Sequence, residues 1–303
     1  MKRIDVGIGL SWLLGLALTS TELRAQQLEP RAYSPSPVGM NFLGVAAMYT
    51  GGGVVTDPAL ALDKVSAHVF SAAPFFAHTF DLVGRLANVS VALPYAWMTA
   101  TVEDDGETHS GDRSGWVDPS ARLAMNLIGG PAMTPQQFRE RIPETALGAS
   151  ITVTAPFGQY DSSYLVNLGT NRWAFRTDLG LSQPVGAWLF ELYSGAWFFT
   201  ANDAYHGDHV REQGPLLSMQ AHVVYVFRPG LWAAGDFTYY EGGSTKLDGV
   251  SKDNRQANAR VGVTMAYPIT SGQSVKLGLA EGATTRIGQN FTTVALSWDM
   301  HWD

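Results

Sequence analysis

From Asn41 onward the chain is a run of segments of about ten residues in which apolar and polar side chains alternate; the connections between them are by turns long and polar, then short and rich in Pro or Gly. A strand's side-chain period is two, so this alternation makes one face greasy and the other wet. Between Gln213 and Tyr267 the pattern is clearest. Leu217, Met219, Ala221, Val223, Tyr225 and Phe227 share one parity, and Ser218, Gln220 and His222 the other. Arg228-Pro229-Gly230 reverses the chain, after which Leu231, Ala233, Gly235, Phe237 and Tyr239 resume the apolar parity against Asp236 and Thr238. Beyond the polar stretch Gly242 to Arg255, Val261, Val263, Met265 and Tyr267 alternate with Asn258, Arg260 and Thr264. A soluble sandwich would fill its outer face with Lys, Glu and Thr. Here the polar parity is sparse, mixed in sign and rich in Gly and Ala, which suits a crowded lumen. The expectation is an all-β fold, a closed antiparallel transmembrane β-barrel of about 12 strands, with a secreted β-sandwich as the minor alternative.

The spacing predicts strands near residues 41–49, 65–78, 82–97, 116–128, 145–156, 172–183, 187–201, 214–227, 231–241, 256–267, 274–280 and 290–302. Connections after odd strands are long, such as Thr50–Lys64, Met98–Gly115 and Phe157–Asn171; those after even strands are tight, such as Thr79-Phe80-Asp81, Pro184-Val185-Gly186 and Arg228-Pro229-Gly230. Outer-membrane barrels keep long loops outside and short turns at the periplasmic end. Gly129–Glu144 is too long for a turn. There Thr134 followed by Pro135 is a helix cap with Pro at the first helical position, so a short periplasmic helix is expected near residues 134–142.

The N-terminus reads as an export signal over residues 1–25: Lys2 and Arg3 are followed by an apolar core from Val6 to Leu18 and a cleavage site at Leu23-Arg24-Ala25. That core is too short for a bilayer-spanning helix of about 20 residues. Residues 26–40 hold Pro30, Pro35 and Pro37, which lack ladder donors, so an extended arm is expected across the periplasmic mouth of a barrel formed by residues 41–303. Loss of the signal removes three basic and two acidic groups, taking the formal charge from −7 to −8 and excluding a basic nucleic-acid surface. The absence of cysteine excludes a disulfide framework and thiol chemistry. At the other end Val294, Leu296, Trp298, Met300 and Trp302 share a parity and resemble the terminal strand by which the barrel-assembly machinery recognises outer-membrane proteins, although Asp303 follows the last aromatic.

On this parity Asn88, Ser90, Arg122, Asn126, Arg176, Asp178, Glu191, Gln220, His222, Asp236, Arg260, Lys276 and Asp299 face the lumen. A ring of one sign would select ions. This mixture instead either lines a narrow, weakly selective solute path or fills a small barrel, and the sequence favours neither. In the loop before strand six, Tyr164 or Trp173 could stack on an aromatic solute while Asn171 and Arg172 orient its polar group, against the simpler reading of a shaped turn. Asp203, His206, Asp208 and His209 are metal-ligand types crowded in one polar loop, where a solvated surface is the simpler account and no metal is expected. Ser218 and His222 share a face, but four residues along a strand is about 13 Å, too far for nucleophile activation. No catalytic residues, nucleotide loop or cofactor are expected.

Several short motifs in order along the mature chain, Arg31-Ala-Tyr33, Pro37-Val-Gly39-Met-Asn41, Asn167-Leu-Gly-Thr-Asn171-Arg-Trp173, Gln183-Pro184-Val-Gly186, Gly195-Ala-Trp197, Gln213-Gly-Pro215 and Tyr240-Glu-Gly-Gly243, resemble the outer-membrane transporter family named for the meta-cleavage, or MetA, pathway of phenol degradation. The resemblance implies a passive outer-membrane channel of a Gram-negative bacterium for small hydrophobic or aromatic molecules, in contact with outer-membrane lipid and needing no cofactor. A barrel with a plugged lumen is the alternative, and a lipase-like barrel enzyme a more remote one.

Overall fold

The computed structural model describes residues 29–55, 64–104, 107–164 and 166–303. The proposed signal segment lies outside the described residues. Twelve antiparallel strands close into a barrel. They are β1 (Asn41–Val55), β2 (Lys64–Leu82), β3 (in two segments, Arg85–Ala92 and Tyr95–Asp104), β4 (also in two, Glu107–Trp116 and Ser120–Ile128), β5 (Ala146–Thr154), β6 (Ala174–Val185), β7 (Trp188–Phe199), β8 (Leu216–Arg228), β9 (Leu231–Gly242), β10 (Gln256–Thr270), β11 (Gln273–Thr284) and β12 (Gly288–Trp302). Each pairs with its sequence neighbours, and β1 closes on β12 in one unbroken register from Asn41 opposite Trp302 to Val55 opposite Gly288. Among the described residues no helix is long and apolar enough to cross a membrane, and closure leaves no strand edge unpaired in lipid.

Parity decides what lipid sees. On β8, Leu217 and Met219 are more than half exposed while Ser218 and Gln220 are 2% exposed, so the greasy set faces outward and the polar set inward. The turns β2–β3 at Val83-Gly84 and β8–β9 at Pro229-Gly230 are tight, and both Val83 and Gly84 take positive φ, as a two-residue hairpin whose twist matches its strands requires. The β2–β3 turn therefore falls after the Thr79-Phe80-Asp81 stretch expected to form it. Thr79 instead stays in β2, bonding the arm through its hydroxyl to Pro37 O at 2.8 Å.

Met98–Gly115 is the larger departure from expectation, because most of it is strand. Tyr95 opposite Trp116 through Asp104 opposite Glu107 continue the ladder as a hairpin, since Thr and Val sustain strand geometry beyond the bilayer. Both β3 and β4 break where proline removes a donor. At the break Leu93 N–H reaches Pro74 O at 3.1 Å and Val117 N–H reaches Pro94 O at 2.9 Å. In the long β4–β5 connection the expected helix forms as α1 (Pro135–Glu140), with Thr134 and Gln137 making a reciprocal capping box.

Outside the barrel mouth, Asn202–Tyr205, His209–Gln213, Thr245–Leu247 and Val250–Ser251 build a small four-stranded ribbon from the β7–β8 and β9–β10 loops. A carboxylate ties it: Asp248 accepts from Val210 N at 2.8 Å and lies 2.6 Å from His209 Nδ1. The Val210 N–H first, and then His209, hold the Asp248 carboxyl below its ordinary value of 3.8. A depressed carboxylate stabilises the fold above its unfolded pKa, and that contribution is lost as pH falls through the folded value. The Val210 amide resonance is therefore expected to titrate with a midpoint below 3.8; a midpoint at or above it would show that the tie does not form.

Candidate functional site

The lumen is divided into two unlike halves. Along β6 to β10 the inward side chains are polar and packed: Arg176, Asp178, Glu191, Gln220, His222, Asp236 and Arg260 are all below a tenth exposed. What packs on them is the chain's own N-terminal arm. Glu29 N–H donates to Gln220 Oε1 at 3.3 Å, and Arg31 N–H donates to Glu191 Oε2 at 2.7 Å. The Glu29 carboxylate lies 3.4 Å from Arg176, whose other side meets Asp178 at 2.8 Å. Arg31 takes a left-handed conformation at φ 65° and turns the arm, with Ser34 N–H bonded back to Arg31 O at 3.1 Å.

Tyr33 is the anchor. It is 3% exposed, its hydroxyl is 2.9 Å from Ser150 Oγ, its ring meets Tyr193 edge-on at 5.2 Å, and Arg122 lies 5.2 Å from the ring. Two glycines make room for it: a Cβ at Gly148 on β5 or Gly180 on β6 would overlap the Tyr33 ring. Asn126 Nδ2 donates to Tyr33 O at 3.2 Å, and Val38 N–H donates to Met133 O at 2.9 Å beside α1. The arm thus turns up into the barrel; it does not lie extended across the mouth. The reason is that its polar backbone, denied a ladder partner by Pro30, Pro35 and Pro37, finds acceptors on the lumen wall.

His222 and Asp236 form a closed polar unit below Gln220. His222 Nδ1 is 2.6 Å from Asp236 Oδ1, His222 Nε2 is 3.2 Å from Gln220 Oε1, and Thr264 donates to Asp236 Oδ2 at 2.6 Å. Both side chains of the pair are 0% exposed. Both ring nitrogens are engaged, so the imidazole serves the wall and not Ser218.

The other half of the lumen is made of β11, β12, β1 and β2. Its inward positions follow from register: Gly278 opposite Ala295, Ala46 opposite Ser297, Ala46 opposite Ala73, and Gly44 opposite Phe75. Gly44 is buried, the Phe75 ring standing where its Cβ would be; the others are half-buried, and Lys276 is exposed. The result is a partly accessible strip of Gly, Ala and Ser with Met48 and Phe75 above and below. Asn88 and Asp299 are half-buried, Asp299 accepting from Ser274 Oγ at 2.8 Å.

The four loop candidates do not converge. Arg172 is 2% exposed and turned inward, its Nη2 2.5 Å from Gln213 Oε1. Trp173, its neighbour, is 40% exposed and packs outward on Phe157 and Phe175. Asn171 has φ 52° and spends its amide on Asn202 Oδ1 at 2.9 Å. Tyr164 is 45% exposed with the Arg113 guanidinium 3.4 Å from its ring. Asn167 shapes the loop by bonding Asp161 and Tyr164, and Asp118 caps it by accepting from Gly158 N and Thr170 N, each at 2.8 Å. Leu168 then packs on Val69, Ala96 and Met98. Trp173→Ala is accordingly expected to leave solute passage unchanged in a folded barrel. Loss of passage, measured as single-channel block by an aromatic solute, would return Trp173 to the path.

Sequence reasoning missed Glu29, Arg31 and Tyr33. The available signal was the pair of inward glycines on adjacent strands, Gly148 and Gly180, at a level where a small barrel needs bulk.

Among solved structures, an outer membrane channel from Pseudomonas putida F1 matches with TM-score 0.76 and 20% identity, covering 91% of this chain and 100% of that one. The transport unit of the autotransporter AIDA-I from Escherichia coli matches with TM-score 0.52 and 10% identity, covering 93% and 96%. At these identities the likeness is one of fold. No curated protein sequence matches the chain. A family model does match, over residues 47–300, which is well beyond half of the sequence and takes in every barrel strand in whole or part. On that match the chain belongs to the family described as "Putative MetA-pathway of phenol degradation".

Proposed function

We propose that the protein is a passive channel of the Gram-negative outer membrane for small hydrophobic or aromatic molecules, exported by its N-terminal signal and assembled through its C-terminal strand. The strip of small residues on β11, β12, β1 and β2 carries this reading. A lumen built only to be filled would place bulk there, whereas the half-buried Ala46, Ala73, Gly278 and Ala295 leave a low-polarity groove on this side. Asn88, Arg122, Arg176, Asp178, Glu191, Gln220, His222, Asp236, Arg260 and Lys276 then divide their work. Arg122, Arg176, Glu191 and Gln220 hold the arm, and Lys276 stands exposed on the opposite side. Family membership and the shared fold of the Pseudomonas putida channel support the reading.

The buried arm favours one second reading, a barrel permanently closed by its own N-terminus. Single-channel recording of the refolded protein in planar bilayers separates the two. A small steady conductance interrupted by added phenol is the expected result, and a correctly inserted but silent barrel would favour permanent closure.

A further inference from the structure

From the extracellular ribbon down to the arm, cations and aromatic rings alternate along one side of the lumen. Arg211 lies 5.2 Å from the Tyr205 ring. Two residues on, Gln213 accepts from Arg172, whose guanidinium stands 4.4 Å from the Phe199 ring. Phe199 and Trp197 are parallel with centroids 6.4 Å apart, and Arg176 lies 5.4 Å from Trp197. At the foot of this series Arg176 holds a carboxylate supplied by the arm, that of Glu29.

Four N–H donors are left over along this line. Arg211 Nε and Nη2, Gln213 Nε2 and Trp197 Nε1 are buried and have no hydrogen-bond partner among the described residues; Arg211 is only 4% exposed and Trp197 3%. A guanidinium and an indole can only donate. Burying donors unmet is costly, and most costly for a charged one, so their shared complement is an acceptor bearing negative charge. A carboxylate matches the guanidinium fork, and the rings on either side suit a flat apolar body. Asp178, against Arg176, leaves room there for one negative charge and disfavours a dianion.

We propose that the solute is a hydrophobic monocarboxylate of the aromatic-acid class, which docks at Arg211 and Gln213 and then competes with Glu29 for Arg176, loosening the arm. Glu29 is on this account a built-in stand-in for the solute's own carboxylate. The inference rests on the channel reading above, and the test keeps the two apart.

Single-channel block is recorded at neutral pH with sodium benzoate and, separately, with phenol, an uncharged ring of similar size. Benzoate is expected to block saturably. Arg211→Gln should weaken that block about tenfold, the scale of one charge-assisted hydrogen bond, while phenol block stays unchanged. Arg211→Lys, which keeps the charge but not the fork, should fall between. Glu29→Gln should lower the benzoate concentration needed, because the competitor is gone. Should Arg211→Gln fail to fold, Arg211→Lys and Glu29→Gln decide, and unchanged benzoate block in both overturns the proposal. Block by phenol without block by benzoate, or benzoate block indifferent to Arg211→Gln, also overturns it and leaves the channel standing. A barrel that conducts nothing overturns both.

Discussion

Tyr33→Ala is expected to free the arm from the barrel and raise the single-channel conductance several-fold. The ring is 3% exposed and fixed by Ser150, Tyr193 and Arg122 in a recess floored by Gly148 and Gly180. Removing a buried aromatic side chain costs about 3–5 kcal/mol. The arm joins the barrel wall at Asn41, so most of that loss falls on the docked state and shifts the docked-to-free ratio by roughly two to four powers of ten. Limited trypsin digestion reads the same event, since Arg31, protected in the lumen, becomes a cleavage site once the arm leaves. Gly148→Ala should reproduce both effects without touching the arm, because its methyl group claims the space of the ring. Unchanged conductance with Arg31 still protected in both variants would mean that Glu29 and Arg31 hold the arm unaided.

The largest loss of stability is expected from Asp236→Ala. It strands His222, whose side chain is wholly buried, and also deprives Thr264 of its acceptor. Breaking one partner of a buried pair costs about 3–5 kcal/mol, chiefly because the survivor is left buried and uncompensated. The exposed pair Arg255 with Glu241 gives the contrast: both are around half exposed, and Arg255→Ala should cost no more than about 1 kcal/mol. Urea unfolding of the refolded barrel in lipid measures both. A midpoint shift for Asp236→Ala no larger than for Arg255→Ala would mean that the buried unit finds other partners.

Much of this molecule is legible from a period of two. Leu217, Met219 and Val223 against Ser218, Gln220 and His222 specify which way β8 faces, and one strand so placed constrains its neighbours, since a slip of one residue would put His222 into lipid. Pro229-Gly230 marks a turn for local reasons. The hairpin of Tyr95–Asp104 and Glu107–Trp116 was harder to see, because beyond the bilayer a strand no longer needs an apolar face and reads like a polar loop. Arg172 and Trp173 show the same limit at a strand entrance. Read as loop residues they could share a ligand, but the parity of β6 runs back to them and sends one inward and the other out. The arm was illegible for a different reason. Its prolines say that it makes no strand, while its position depends on contacts such as Tyr33 to Ser150, 117 residues apart, which no local pattern encodes.

The two unlike halves of the lumen also bear on how such a barrel could change over generations. Substitutions at Ala46, Ala73 or Ala295 alter the width and texture of the groove without meeting the arm, whereas those at Gly148, Gly180 or Gln220 disturb its seat. The width of the groove and the seat of the arm are thus written on different strands. A lineage of such barrels can therefore reshape one wall at Ala46, Ala73 and Ala295 while the seat of its arm, built around Tyr33, stays as it is.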